Sequence, residues 1–202
     1  MFVQVIQGHV ADPAPVRAAL DRWVRDLSPG AIGWLGSTAG VTEDGRFIAL
    51  ARFESAEAAQ RNSERPEQDA WWSEMAPLFT KEPTFTEGTD VFADIRGDAD
   101  AAGFVQVMQG RGTDQQRARA LMQQNADEWA AFRPDVIGQL EVDQADGLWT
   151  MAIYFTSEED ARGGEQRQLP PALQAEMDEM QAMSIGTPEF YDLKEPWLHS
   201  PG

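Results

Sequence analysis

Phe2-Val3-Gln4-Val5-Ile6-Gln7-Gly8 returns as Phe104-Val105-Gln106-Val107-Met108-Gln109-Gly110, identical at six of seven positions. A repeat of this kind means that one small unit is written twice along the chain. Arg17 with Arg119, Asp44-Gly45 with Asp146-Gly147, Phe53 with Phe155, Ser55 with Ser157 and Met75 with Met177 keep the same spacing of 102. Ile32-Gly33 against Ile137-Gly138 gives 105, which predicts three extra residues near the first helix of the second copy and three fewer in its hairpin. The 202 residues therefore divide into a first repeat over 1–95, a linker over 96–103 and a second repeat over 104–202.

Within one repeat the local signals are ordered. Phe2 to Gln7 is a short β-type run closed by Gly8. Asp12 is suited to cap a helix whose first position takes Pro13, and Val16, Leu20, Trp23, Val24 and Leu27 recur at helical spacing until Pro29-Gly30. Ile32–Val41 and Arg46–Phe53 read as strands joined by Thr42-Glu43-Asp44-Gly45, a hairpin turn. Ser55 opens a second helix that breaks around Ser63 to Pro66 and resumes through Trp71 to Phe79, and a last strand falls within Thr84 to Ile95. The second copy gives a helix over Gln115–Phe132 opened by Thr113 or Asp114, and strands over Ile137–Val142 and Leu148–Thr156. A broken helix over Glu158–Met183 and a strand near Glu189–Leu193 complete it. Each half is β-α-β-β-α-β, an α+β ferredoxin-like order.

Composition excludes several classes of function. Thirty-four acidic against sixteen basic side chains give a net charge of −18, which repels nucleic acid and anionic membranes. With 42% hydrophobic residues and charges spread along the chain, this is not a disordered acidic tail. The absence of cysteine removes disulfides and thiolate chemistry. Residues 1–20 lack a signal-peptide pattern and Phe2 to Gly8 is too short to span a bilayer, so a cytoplasmic location without membrane association is expected.

The segments Phe53-Glu54-Ser55-Ala56-Glu57-Ala58-Ala59 and Phe155-Thr156-Ser157-Glu158-Glu159-Asp160-Ala161, each following a hairpin, resemble the antibiotic biosynthesis monooxygenase group of the dimeric α/β-barrel superfamily. The resemblance covers both halves and implies two ferredoxin-like units pairing as a barrel, here within one chain. It implies a monomer with an internal pseudo-dimer, or a homodimer of that monomer. Haem-degrading members carry a histidine on the second helix where this chain has Asn62 and Gly164, so haem chemistry is not expected. The resemblance implies instead oxidation of a small aromatic or polyketide-like metabolite without a bound cofactor. The alternative is a non-catalytic small-molecule-binding or stress-associated protein of the same fold.

Strand alternation sorts candidate residues into rows. Gln139, Glu141 and Asp143 form a polar row opposite Gly138, Leu140 and Val142, and the first copy's equivalent row starts at Trp34 and Gly36. A cavity lined by these mixed rows would hold Gln4, Trp34 and Arg52 from one half, and Gln106, Gln139, Glu141 and Tyr154 from the other. For the implied oxidation, Trp34, Arg52 and Tyr154 are the catalytic candidates, with Arg52 stabilising an oxyanion. A second candidate pocket groups Trp23, Asn62, Trp71 and Trp72, residues that serve equally as core. His9 and His199 have no common face, and neither a metal-binding motif nor a nucleotide-binding glycine motif is present. No metal and no cofactor is expected.

Overall fold

The computed structural model describes residues 1–201; Gly202, the last residue of the second repeat as delimited from sequence, lies outside the described residues. The first repeat runs β1 (Phe2–His9), α1 (Pro13–Asp26), β2 (Trp34–Val41), β3 (Arg46–Phe53), α2 (Ala56–Ser63), α3 (Pro66–Met75), β4 (Thr84–Gly88) and β5 (Asp90–Ile95). The second runs β6 (Phe104–Gly112), α4 (Gln115–Gln124), α5 (Ala126–Phe132), β7 (Val136–Asp143), β8 (Leu148–Phe155), α6 (Glu158–Glu165), α7 (Pro171–Met183), β9 (Ser184–Leu193) and β10 (Trp197–His199).

Helices start where the sequence supplies an acceptor for the orphan N–H groups of a first turn. Asp12 accepts from the Ala14 N–H at 3.0 Å, with Pro13 in the first turn. Ser55 accepts from Ala58 at 3.2 Å, Asp114 from Arg117 at 2.9 Å and Ser157 from Asp160 at 3.1 Å. The helix expected over Gln115–Phe132 is interrupted at Asn125, whose φ of −114° and ψ of 26° leave the helical region.

Two five-stranded sheets result, ordered β10-β2-β3-β1-β4 and β5-β7-β8-β6-β9. The single strand expected within Thr84–Ile95 is in fact two, and they join different sheets. The chain forms two compact units, Met1–Val91 with the segment from Tyr191 onward, and Phe92–Phe190. In the first unit the returning segment is firmly seated. Tyr191 accepts from Gln7 Nε2 at 2.7 Å beneath the Arg46 guanidinium, Leu193 packs on Gly40, and Trp197 pairs with Ala39 on β2.

Strand register corrects the alignment of the two copies. Trp34 pairs with Phe53 and Gly36 with Arg52, the ladder skipping Leu35; Val136 pairs with Phe155 and Gly138 with Tyr154, skipping Ile137. Each of the two strands has its bulge at the same place, so the spacing of 102 holds here as well. Gly138 is the counterpart of Gly36, and the inferred insertion and deletion do not exist. The coincidence of two Ile-Gly dipeptides produced the spacing of 105.

In the first unit Trp23, Val16 and Ala19 of α1 and Trp71 and Met75 of α3 pack on Phe2, Trp34, Phe47, Ala49 and Phe53. The repeated heptad ends in glycine for a packing reason. A Cβ on Gly8 would lie 2.4 Å from the Phe79 ring, and one on Gly110 would lie 2.5 Å from the Trp149 ring. In both units an aromatic ring occupies the space that a side chain would need at that point.

Candidate functional site

Ladder partners define the rows on the helix-facing side of each sheet. In the first unit they are Phe2–Phe53–Trp34, Gln4–Ala51–Ser37, Ile6–Ala49–Ala39 and Gly8–Phe47–Val41. In the second they are Phe104–Phe155–Val136, Gln106–Ile153–Gln139, Met108–Met151–Glu141 and Gly110–Trp149–Asp143. The frame is the same, but Glu141 and Asp143 stand where the first unit has Ala39 and Val41.

This substitution places acids in a poorly hydrated space. Glu141 is 6% exposed and Gln106 9%, and the Asp143 side chain is 8% exposed. Asp143 accepts from Arg119 Nη2 at 2.5 Å, an ion pair from α4 down to the sheet. Arg17, the counterpart of Arg119, finds Val41 in place of an acid. Its side chain is half exposed and faces Glu195 at 3.7 Å. The next layer is also polar: Glu176 on α7 is buried and accepts from Asn125 Nδ2 and Trp129 Nε1, both at 2.8 Å.

Gln106, Gln139 and Glu141 therefore share one face, with Met108, Met151 and Ile153 between them. Tyr154 lies on the opposite face of that sheet, paired with Val105 and Gly138, and is 2% exposed. In the first unit Gln4 and Trp34 face the helices whereas Arg52 faces away from them. Arg52 alternates with the helix-facing Phe53 along β3 and pairs with Val3, while the bulge at Leu35 puts Trp34 and Gly36 on opposite sides of β2, so that Gly36 and not Trp34 shares the face of Arg52. Trp34 is core, with its ring 5.1 Å from that of Trp23.

Trp23, Asn62, Trp71 and Trp72 do meet, in a packed array. Trp23 Nε1 and Asn62 Nδ2 both donate to Gln68 Oε1, at 2.6 and 3.3 Å, and Trp71 Nε1 donates to the Ala19 carbonyl at 2.8 Å. Trp71 and Trp72 have ring centroids 5.9 Å apart. Buried indoles need such acceptors, and Trp23 and Trp71 find theirs within the core.

Arg52 has no such partner. Its Nε is shut off from solvent and makes no hydrogen bond, and no ion pair to its guanidinium exists among the described residues. Its Nη2 lies over Gly36 (φ 122°), 2.4 Å from where a Cβ would stand. Among the described residues no group of three His, Asp or Glu is placed to hold a metal ion, and no helix is long and apolar enough to cross a membrane.

Neither a protein-family model nor a curated protein matches the sequence. Solved structures do match along its whole length. A "putative monooxygenase" from Lactobacillus acidophilus NCFM aligns over 98% of this chain and 95% of its own, with TM-score 0.76 and 13% identity. Another from Fusobacterium nucleatum aligns over 100% and 94%, with TM-score 0.79 and 9% identity. An anthrone oxidase-like protein aligns over 98% and 93%, with TM-score 0.65 and 12% identity. At these identities the shared property is the fold. The chain has the tandem α+β fold of these monooxygenase-like proteins.

Proposed function

We propose that the chain oxidises a small, electron-rich aromatic or polyketide-like metabolite with molecular oxygen and no bound cofactor, using the helix-facing polar row of its second unit. The observation that carries this reading is the exchange of Ala39 and Val41 for Glu141 and Asp143 on an otherwise equivalent sheet. A buried carboxylate flanked by amides and thioethers has the composition of a small-molecule site, apolar walls with few convergent polar groups. The names of the similar structures supply the reaction class.

The chemistry balances without an external reductant. An activated aromatic methylene gives a proton to Glu141, and the resulting carbanion gives its electrons to oxygen. One oxygen atom ends in a new ketone and the other in water; the carbon loses four electrons and O2 gains four. Gln106 and Gln139 orient the substrate's oxygen groups, and the Arg119–Asp143 pair holds the wall of the site. Exclusion of bulk water protects the carbanion.

Oxygen uptake by the purified chain supplied with a hydroxyanthrone tests this reading. One O2 consumed per ketone formed, falling by about 100-fold or more in Glu141→Gln with the fold intact, is the expected result. Saturable quenching of tryptophan fluorescence without oxygen uptake would instead mark a binding protein. Neither response would reject the site.

A further inference from the structure

We propose that α5 is a hinged cover of the second unit, latched by Glu176, and that its opening admits a ligand to the polar row of that unit. The second clause rests on the function proposed above; the first stands on packing alone. With the spacing of 102 held constant, α1 corresponds to α4 and the start of α5. α1 runs unbroken over Pro13–Asp26 and buries Val16, Ala19 and Trp23. Trp23 pins its C-terminal half: the ring lies 5.1 Å from that of Trp34 on the sheet and 6.5 Å from that of Trp71 on α3, and Nε1 donates to Gln68. All four positions change in the second repeat. Asn125, Val136, Leu173 and Pro170 stand for Trp23, Trp34, Trp71 and Gln68, so neither the rings nor the acceptor remain.

Without that pin the helix breaks. The chain leaves the helical region at Asn125 and again at Arg133, where φ is −120° and ψ 68°. Between these breaks α5 has no buried residue, whereas α4 before it buries Leu121 and Met122. Trp129 and Phe132 of α5 set their rings against each other, 6.2 Å apart. The ties to other elements are polar. Asn125 and Trp129 donate to the buried Glu176 carboxylate, and the Ala126 and Phe132 carbonyls accept from the exposed Arg96 and Arg167 at 3.1 and 3.2 Å. Hydrogen bonds that water can replace hold a segment less firmly than buried apolar surface, and such segments open while the rest stays folded. Residues at element ends that absorb a change in φ and ψ act as hinges, as Asn125 and Arg133 are placed to do. By the same correspondence α5 stands at the Phe104–Phe155–Val136 row, and the Arg133 guanidinium lies 5.4 Å from the Phe155 ring. The next row is Gln106–Ile153–Gln139, whose Ile153 and Gln139 are only half-buried, so an opening here leads directly to the polar row.

Native-state amide exchange on the full chain, read by NMR in rising sub-denaturing urea, tests the cover. Protection at residues 129–133 is expected to lie about 100-fold or more below that of Leu121 and Met122, and to be nearly independent of urea, as local opening requires. Trp129→Phe keeps a ring and removes one donor to Glu176. It should lower protection at 129–133 about tenfold and leave Leu121 and Met122 unchanged. A hydroxyanthrone supplied without oxygen, so that it binds and is not consumed, should raise protection at 129–133 in the parent chain. Exchange at 129–133 that follows the urea dependence of Leu121 would overturn the cover, and unchanged protection in Trp129→Phe would overturn the latch. Quenching of tryptophan fluorescence by the hydroxyanthrone with no change at 129–133 would overturn the entrance. Urea-independent opening that responds to Trp129→Phe, with neither quenching nor oxygen uptake, would uphold the cover and reject the proposed oxidation.

Discussion

Arg119 and Asp143 are joined at 2.5 Å across the space between α4 and β7, while the corresponding Arg17 and Val41 of the first unit go separate ways. The pair marks where the two copies diverged. An acid entering the sheet row drew inward an arginine that the duplicated frame had already placed above it. A buried pair of this kind contributes little net stability, but removing one member is costly. Asp143→Ala should therefore destabilise the chain by about 3 kcal/mol. Arg119→Met combined with Asp143→Val, which restores the apolar character of the first unit, should recover most of that loss. Urea denaturation of these two variants, of Arg119→Met alone and of the parent measures the coupling; additive losses would show that the residues are not coupled.

Gly8→Ala should force the Phe79 ring off its strand, since the added methyl would stand 2.4 Å from the ring. Overpacking of this type costs about 1–3 kcal/mol. Phe79→Leu in the same chain should relieve the clash, so that the double variant loses less than the two single losses together. Thermal unfolding of all three decides it.

The buried Glu176 is the acceptor for two donors, Asn125 and Trp129. Glu176→Ala strands both donors and opens a void, and a loss of about 2–4 kcal/mol is expected. Glu176→Gln keeps one acceptor oxygen and should lose less. Near-UV circular dichroism of Trp129 would report whether the ring loses its fixed setting.

At the start of α6, hydrogen bonds first from Ser157 and then from Thr156 hold the Asp160 carboxyl below its ordinary range. A lowered value in the folded state means stability that is fully present above the unfolded value, about pH 4, and is lost as pH falls through the folded one. Protection factors for amide exchange at the first turn of α6, taken relative to the intrinsic rate at each pH, should fall on acidification below that range. Asp160→Asn should show a flat profile. An unchanged profile in the variant would assign the acid response to another group.

What could be read in the sequence was what is decided within a few residues. Asp12, Ser55, Asp114 and Ser157 cap helices by accepting from backbone N–H groups two or three positions ahead, so chain order alone exposes them. The hairpin at Thr42–Gly45 and the shared face of Gln106, Gln139 and Glu141 follow from local pattern in the same way. The bulges at Leu35 and Ile137 could not be read, because a skipped residue is a property of two strands together. They turned Trp34 into the core while leaving Arg52 on the other side. The Arg119–Asp143 pair was within reach: a repeated arginine, and an acid where the first copy has valine, are both visible once the spacing of 102 is held constant. The three-residue β10 was not, since so short a strand is formed by the edge it completes.

That last strand bears on how the protein is made. The outer edge of β2 is closed by Trp197–His199, which is synthesised after every helix of the second repeat, whereas the rest of its sheet is synthesised before the second repeat begins. The first sheet must wait with an unpaired border while the second repeat is made, and such borders are where nascent chains stick to one another. The opposite border, β4, needs no such delay. The first sheet thus takes its finishing strand from beyond the helices of the second repeat, and a chain cut after Leu193 would keep α1 to α7 and leave one edge raw.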